Sequence, residues 1–228
     1  MFFFSHWWLR LTQRLLYRKT SATTIGISVR YEGTRYPCRA SAFLLDCGLV
    51  CTARHVVENA MWIYVHPKGG GMIAVNLDKV TIVTEADIAF IHVPDLVGSA
   101  AGVGDSSAIT DNDRLLMLRT PFGITTVLRA EEPVYGRILY ENASVNDFRF
   151  TTDWLFTQHD NLTVTDHPTM QGDSGSALFD SDGNVVGMVI QRVTSAQAKA
   201  FPERGWHHAS FIVPMQDIVR AARDRGLI

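Results

Sequence analysis

The segment Gln171-Gly172-Asp173-Ser174-Gly175-Ser176-Ala177-Leu178-Phe179 sets a serine in a glycine-flanked turn, where a polar loop meets an apolar strand. A serine hydroxyl is a weak nucleophile, so chemistry there requires a histidine to take its proton and a buried carboxylate to orient that histidine. Two upstream segments offer them. Thr52-Ala53-Arg54-His55-Val56-Val57 places a histidine at the end of an apolar strand, and Ala86-Asp87-Ile88-Ala89-Phe90-Ile91 places an aspartate at the entry to another. His55, Asp87 and Ser174, in that chain order, are the three parts of an acyl-transfer triad: base, orienting acid and nucleophile. Each alone has a plainer reading, as a satisfied core histidine, a turn aspartate or a loop serine; the argument rests on all three standing in order at strand edges. His159, His167 and Arg54 lie near these motifs and are candidates to line the cleft. Ser174 lacks the Gly-x-Ser-x-Gly strand-to-helix elbow of esterases.

The elements that must position these groups read as short β-runs. Thr23 to Arg30, Arg39 to Leu45, Leu49 to Ala53, Met61 to Val65, Val80 to Thr84 and Ile88 to Val93 form a first set. A Gly/Ser-rich linker, Val97 to Ser107, separates them from a second: Arg114 to Arg119, Ile124 to Ala130, Val134 to Tyr140, Phe148 to Phe156, Ser176 to Phe179, Val185 to Gln191 and Ala209 to Val213. Asp182-Gly183-Asn184 is a hairpin-turn signal. Many short strands with polar turns indicate an all-β architecture. Met215, Ile218, Val219 and Ala222 follow Pro214 at helical spacing and predict a short C-terminal helix packed on the second set. The expected division is 1–20 as an N-terminal amphipathic helix, 21–107 as a first barrel with the histidine and aspartate, and 108–228 as a second barrel with the serine.

A chain of 228 residues, 46% of them hydrophobic, can bury two such units, and its net charge of −2 argues against a nucleic-acid partner. Three cysteines cannot all pair internally. If Leu45 faces Leu49 across the intervening turn, Cys51 lies opposite Phe43 rather than Cys38. Cys47/Cys51 and His207/His208 lack metal-ligand spacing, so no metal and no cofactor are expected.

These motifs resemble those of the trypsin-like (chymotrypsin-fold) serine proteases, closest to the protease domain of the HtrA/Deg group, over about Ala22 to Ala222. Ala40-Ser41-Ala42-Phe43 through His55-Val56-Val57 resembles that group's Gly-Ser-Gly-Phe strand and histidine strand, with alanines for both glycines. Gly104-Asp105-Ser106-Ser107, Thr120-Pro121-Phe122-Gly123 and Phe211-Ile212-Val213-Pro214 are similar to its later signatures. The resemblance implies two six-stranded antiparallel β-barrels and hydrolysis of peptide bonds, with the backbone N–H groups of Gly172 and Ser174 as the oxyanion hole. A protease-like fold without catalysis, serving as a binding module, is the alternative. By the same resemblance Pro168 floors the pocket for the side chain before the cut. Thr169 walls it, and Val189, Ile190, Gln191 and Arg192 form the opposite wall and the edge that pairs with substrate. No acidic floor is present, and the histidine that accompanies threonine in glutamate-specific relatives is absent at Val189; small or medium apolar side chains are expected.

Two departures matter. Precursor-activated relatives pair the aspartate before the serine with a freed Ile-Val-Gly-Gly terminus; this chain has Asp173 but no such sequence. Either Asp173 has another donor, or the oxyanion loop waits for a partner or substrate. Only a short stretch follows the last strand, and no PDZ domain is expected. The expected partners are a protein or peptide substrate and, under the second alternative, a regulatory protein.

Residues Met1 to Thr20 stand outside the resemblance. Phe4, Trp7, Trp8, Leu11 and Leu15 share a helical face, with Arg10, Gln13 and Arg14 largely opposite. The uninterrupted apolar length is too short to span a bilayer, and the arginines interrupt any secretory-signal core. An interfacial helix giving peripheral membrane contact through residues 1–20, an Arg-rich organelle presequence, or a helix docked on its own barrel or another protein remain. A cytoplasmic or membrane-peripheral location is expected.

Overall fold

The computed structural model describes residues 14–46, 48–68, 71–96, 98–110, 113–119, 132–143, 162–192 and 209–228. The strands expected at 124–130 and 148–156, His159, Cys47 and residues 1–13 lie outside them.

Helix α1 (residues 14–23) leads into β1 (Thr24–Tyr31), β2 (Cys38–Asp46) and β3 (Leu49–Thr52). A one-turn helix, α2 (Arg54–Val57), precedes β4 (Ala60–His66), β5 (Ile73–Val75), β6 (Val80–Val83) and β7 (Ile88–His92). These strands form one antiparallel sheet in the order β5-β4-β1-β2-β3-β7-β6. The second sheet comprises β8 (Gly102–Val103), β9 (Leu115–Arg119), β10 (Glu132–Gly136), β11 (Ile138–Ala143), β12 (Leu162–Thr165), β13 (Ala177–Phe179), β14 (Asn184–Arg192) and β15 (Ser210–Pro214). Its path is β10-β9-β13-β14-β15-β12-β11, with β8 parallel to β14.

In β1 the apolar side chains Ile25, Ile27 and Val29 alternate along the strand and face the core, while Thr24 and Ser28 on the other face are also buried. β2 is instead buried almost throughout, because its second face meets the other sheet. Ser41 touches the Gly172 carbonyl there, and Cys51, opposite Phe43, lies 3.8 Å from the Met188 sulfur of β14. One apolar core thus runs continuously through both sheets. Its burial pushes the Cys51 thiol far above the ordinary range; Cys38 is exposed, and both thiols are free.

The register across β2 and β3 matches the expectation at Phe43 and Cys51 but not at the turn. Asp46, not Leu45, faces Leu49, so Leu45 is a bulge residue. Among the described residues the first sheet has seven strands, with the short β5 added to those expected, and the second has eight, with β8 and β12 added. The single strand expected over Val134 to Tyr140 is divided into β10 and β11 at Arg137, which leaves the ladder to exchange backbone and side-chain hydrogen bonds with Asp166. Helix α3 (Met215–Asp224) starts after Pro214 and buries Met215, Ile218, Val219, Ala221 and Ala222 against β14 and β15, as its spacing predicted.

Helix α1 docks on the β13–β14 hairpin. Leu16 and Tyr17 join the core, and the Lys19 ammonium donates to the Asp182 carbonyl at 2.6 Å and to Asn184 Oδ1 at 3.2 Å. Gly183 (φ 75°) is the turn residue under it; a side chain there would strike Lys19 and Leu16.

Candidate active site

His55 sits in α2, a single turn between β3 and β4, where few helical hydrogen bonds hold it. Partners from the same sheet supply the rest. Asp87, at the entry to β7 and 1% exposed, accepts the His55 backbone N–H at Oδ1 (2.9 Å) and the ring Nδ1–H at Oδ2 (2.7 Å). That double grip fixes the tautomer: Nδ1 carries the proton and Nε2 is left with its lone pair, able to accept one. The Tyr31 hydroxyl donates to the Val56 carbonyl at 2.7 Å, taking up an orphan acceptor at the end of α2. Burial first, and Cys38 second, raise the Tyr31 pKa to about 12, so it remains a donor. Arg54 is buried, not in the cleft; it donates to the Thr84 carbonyl at 2.9 Å and lies 3.6 Å from Glu58, bracing the segment that leads to Asp87.

Ser174 lies beyond a tight turn closed by the Asp173 N–H on the Met170 carbonyl (3.1 Å). Gly172, third in that turn, has φ 99°, the positive value that separates a type II turn from type I. The choice sets which way the Gln171–Gly172 peptide points, and here the conformation calls for glycine. Asp173 is 1% exposed and accepts the Met170 N–H at 2.8 Å. The neighbouring peptides are paired: Gly175 N–H with Val189 O at 2.8 Å, and Ser176 N–H with Asp173 O at 2.9 Å. The N–H groups of Gly172 and Ser174 have no hydrogen-bond partner among the described residues. Two backbone donors one residue apart, left over in a buried turn, are suited to a developing oxyanion.

His55, Gly172 and Ser174 line one cavity of about 550 Å³, together with Tyr31, Cys38, Arg39 and Glu58. The Ser174 hydroxyl donates to the Ile190 carbonyl at 3.3 Å. Ile190 is the bulge residue of β14, between the pairs Val189–Ile212 and Gln191–Phe211, and the bulge brings that carbonyl to the serine.

The expected pocket residues differ in burial. Thr169, Val189 and Ile190 are buried, Gln191 is half-buried, and Pro168 and Arg192 are exposed. Ser210 Oγ donates to the His167 carbonyl (2.9 Å), so Thr169 Oγ1, 2.5 Å away, must donate to Ser210. His167 does not line the cleft. It is fully buried, with Nε2 donating to the Leu115 carbonyl (3.2 Å) and Nδ1 facing the Thr165 hydroxyl (3.0 Å). Burial lowers its pKa to about 4, against the smaller opposing effects of the Leu115 bond and Asp166. Tyr31 and Thr52 were not singled out from the sequence; the only signal for Thr52 is a hydroxyl inside an apolar strand.

Several known proteins resemble this chain in sequence or in fold. The trypsin-like peptidase domain family matches residues 40–188. The chain is 29% identical over 143 residues to the magnetosome formation protease MamE of Magnetospirillum gryphiswaldense, covering 62% of this chain and 17% of that protein. It is 24% identical over 203 residues to the serine protease Do-like HtrA of Lactococcus lactis, covering 88% and 46%. It therefore spans less than half the length of either relative. Among solved structures, the active form of the Rv3671c protease from M. tuberculosis superposes with a TM-score of 0.73 at 18% identity, over 93% of this chain and 85% of that one. The HtrA-type protease AlgW with a tripeptide gives 0.70 at 18%, over 92% and 63%. These likenesses show the two-barrel chymotrypsin-like fold, and the family match over most of the chain settles its membership: the protein belongs to the trypsin-like peptidase domain family.

Proposed function

We propose that the protein is a serine endopeptidase in which Ser174 is the nucleophile, His55 the general base and acid, Asp87 the orienting carboxylate, and the N–H groups of Gly172 and Ser174 the oxyanion hole. The observation that carries this reading is the two-point grip of Asp87 on His55 at the rim of the cavity that also holds Ser174 and the two unpaired donors. The Ser174 hydroxyl leaves the Ile190 carbonyl, gives its proton to His55 Nε2 and attacks the scissile carbonyl. Negative charge gathers on the carbonyl oxygen against Gly172 and Ser174. His55 then protonates the leaving amine, and water attacks the acyl-enzyme with His55 again as base. Removing one oxyanion donor typically costs about 10²–10³ in rate.

For the side chain before the cut, the reading favours small or medium apolar groups. Thr169 spends its proton on Ser210, and Val189 and Ile190 add apolar surface, so these three buried side chains offer no donor to an acidic group. A peptide library whose cleavage profile is dominated by Arg, Lys or Glu before the cut would reject this. Of the two alternatives for Asp173, its bond from Met170 favours an internal partner, and with it a turn that needs no activating partner. Turnover by the purified chain, unchanged by added protein partners, is the expected result; turnover only with a partner restores the gated form. Peripheral membrane contact through residues 1–20 is proposed for the face that α1 leaves exposed, where Arg14, Leu15 and Arg18 lie outward. Flotation with anionic vesicles that is lost on deleting residues 1–13 is expected; no flotation removes the membrane reading.

A further inference from the structure

We propose that Ser41 is a positioning residue of this reaction, holding the oxyanion turn of the second sheet from its place in the first. The inference rests on the proteolytic reading above. Ser41 has no exposed surface and lies on the face of β2 that meets the second sheet. Its hydroxyl donates to the Gly172 carbonyl (2.9 Å), its backbone N–H donates to the Ser174 carbonyl (3.0 Å), and its carbonyl accepts the Thr52 hydroxyl (2.8 Å).

The pattern of peptides explains the consequence. The Gly172 carbonyl belongs to the peptide linking residues 172 and 173, and the Ser174 carbonyl to that linking 174 and 175. Both are bonded at their other ends as well, through Asp173 N–H to Met170 and Gly175 N–H to Val189. The two unpaired donors lie on the alternate peptides: Gly172 N–H on the one before this pair, and Ser174 N–H on the one between them. A peptide plane is rigid, so fixing its neighbours leaves few orientations for it. Ser41 therefore aims the donors without touching the substrate, acting on the hydroxyl side through Gly172 and on the backbone side through Ser174. Gly175 shows how close the approach is. Its φ is 86°, and an added Cβ would fall on the Ser41 carbonyl oxygen and the Thr52 hydroxyl. On this account the hole is assembled by the docking of the two sheets. The second sheet's own turn supplies the donors but not all of their aim.

The test compares Ser41→Ala with wild type, using acetyl-Ala-Ala-Pro-Val as its p-nitroanilide, aldehyde and alcohol. The aldehyde forms a hemiacetal whose oxygen occupies the oxyanion site, whereas the alcohol reads binding alone. Ser41→Ala is expected to lower kcat by roughly 10–100-fold with little change in KM, somewhat less than deletion of a donor. Aldehyde affinity should weaken by a similar factor and alcohol affinity should not. Ser28→Ala removes another buried hydroxyl, bonded to His66 Nε2 at 2.7 Å on β1, and should leave kcat unchanged. If Ser41→Ala does not fold, Ser41→Cys keeps the volume with a weak donor and is read in the same way. A Ser41 variant with wild-type kcat and aldehyde affinity, or one that loses aldehyde and alcohol equally, overturns the role. Wild type that neither takes a fluorophosphonate label nor cleaves the anilide overturns the proteolytic reading itself, and the role with it.

Discussion

His55 and Asp87 are held by groups of their own sheet, whereas the turn carrying Ser174 takes two of its anchors from the other sheet. On the first sheet, Asp87 grips both nitrogens that His55 offers it, Tyr31 closes α2, and Arg54 ties that helix to the Thr84 carbonyl. On the second, Ser41 reaches across to the carbonyls of Gly172 and Ser174. The contrast follows from what each half must present. A histidine needs one tautomer and one orientation, which a single buried carboxylate can impose. An oxyanion hole needs backbone donors left unpaired, and a turn with unpaired donors cannot hold itself by its own ladder. Its rigidity has to come from outside.

The largest expected effects break either half outright. Ser174→Ala or His55→Ala should lower kcat by roughly 10⁶-fold with the protein still folded, as for triad residues that act as a unit. Peptide turnover beside near-ultraviolet circular dichroism checks both parts. Asp87→Asn tests the first half alone. An amide accepts from only one of the two His55 donors and turns an N–H₂ toward the other, so a loss of about 10⁴ in kcat is expected. A loss below tenfold would show that Tyr31 and Arg54 suffice to orient the helix.

Gly175→Ala strikes the contact between the halves. It combines left-handed backbone strain with overpacking against Ser41 and Thr52, together roughly 2–5 kcal/mol of stability. Urea unfolding measures it, and wild-type stability would mean that the sheets are not closely docked there.

His167, buried in the second half with its carbonyl bonded to Thr169 and Ser210, sharpens the comparison through pH. Its folded pKa of about 4 lies below the ordinary 6.5, so the unfolded chain binds the extra proton between those values. Its contribution is complete above pH 6.5 and is lost as pH falls from 6.5 toward 4, about 3 kcal/mol in all. Comparing urea midpoints of wild type and His167→Gln across that range reads the difference; equal slopes for the two would assign the acid sensitivity elsewhere. The smallest effect belongs to Tyr31→Phe, which removes one hydrogen bond and should cost about 1 kcal/mol.

How far these features could be read in advance depended on their range. Strand β1 and helix α3 announce themselves by periodic apolar residues, and β14 by an unbroken apolar run that is buried from Val185 to Ile190. The bulges at Leu45 and Ile190 and the break at Arg137 carry no such period; they arise where the chain must meet another segment. His55, Asp87 and Ser174 stood out because their chemistry restricts residue type at each place. Ser41 was visible only as part of a strand motif, since a serine's bond to a turn 131 residues away leaves no local trace. His167 is buried and away from the cleft because proximity in sequence to the serine does not say which way the chain turns after β12. No helix among the described residues is long and apolar enough to cross a membrane; α1 is docked on its own domain through Leu16, Tyr17 and Lys19, while Leu15 of the aromatic face is 56% exposed.

The most direct test of the central claim is labelling of the purified protein with a fluorophosphonate, followed by mass mapping of the modified residue, beside Ser174→Ala and His55→Ala. The account predicts one label, on Ser174, absent from both variants. A wild-type protein that stays unlabelled, or a label that persists in Ser174→Ala, would contradict it.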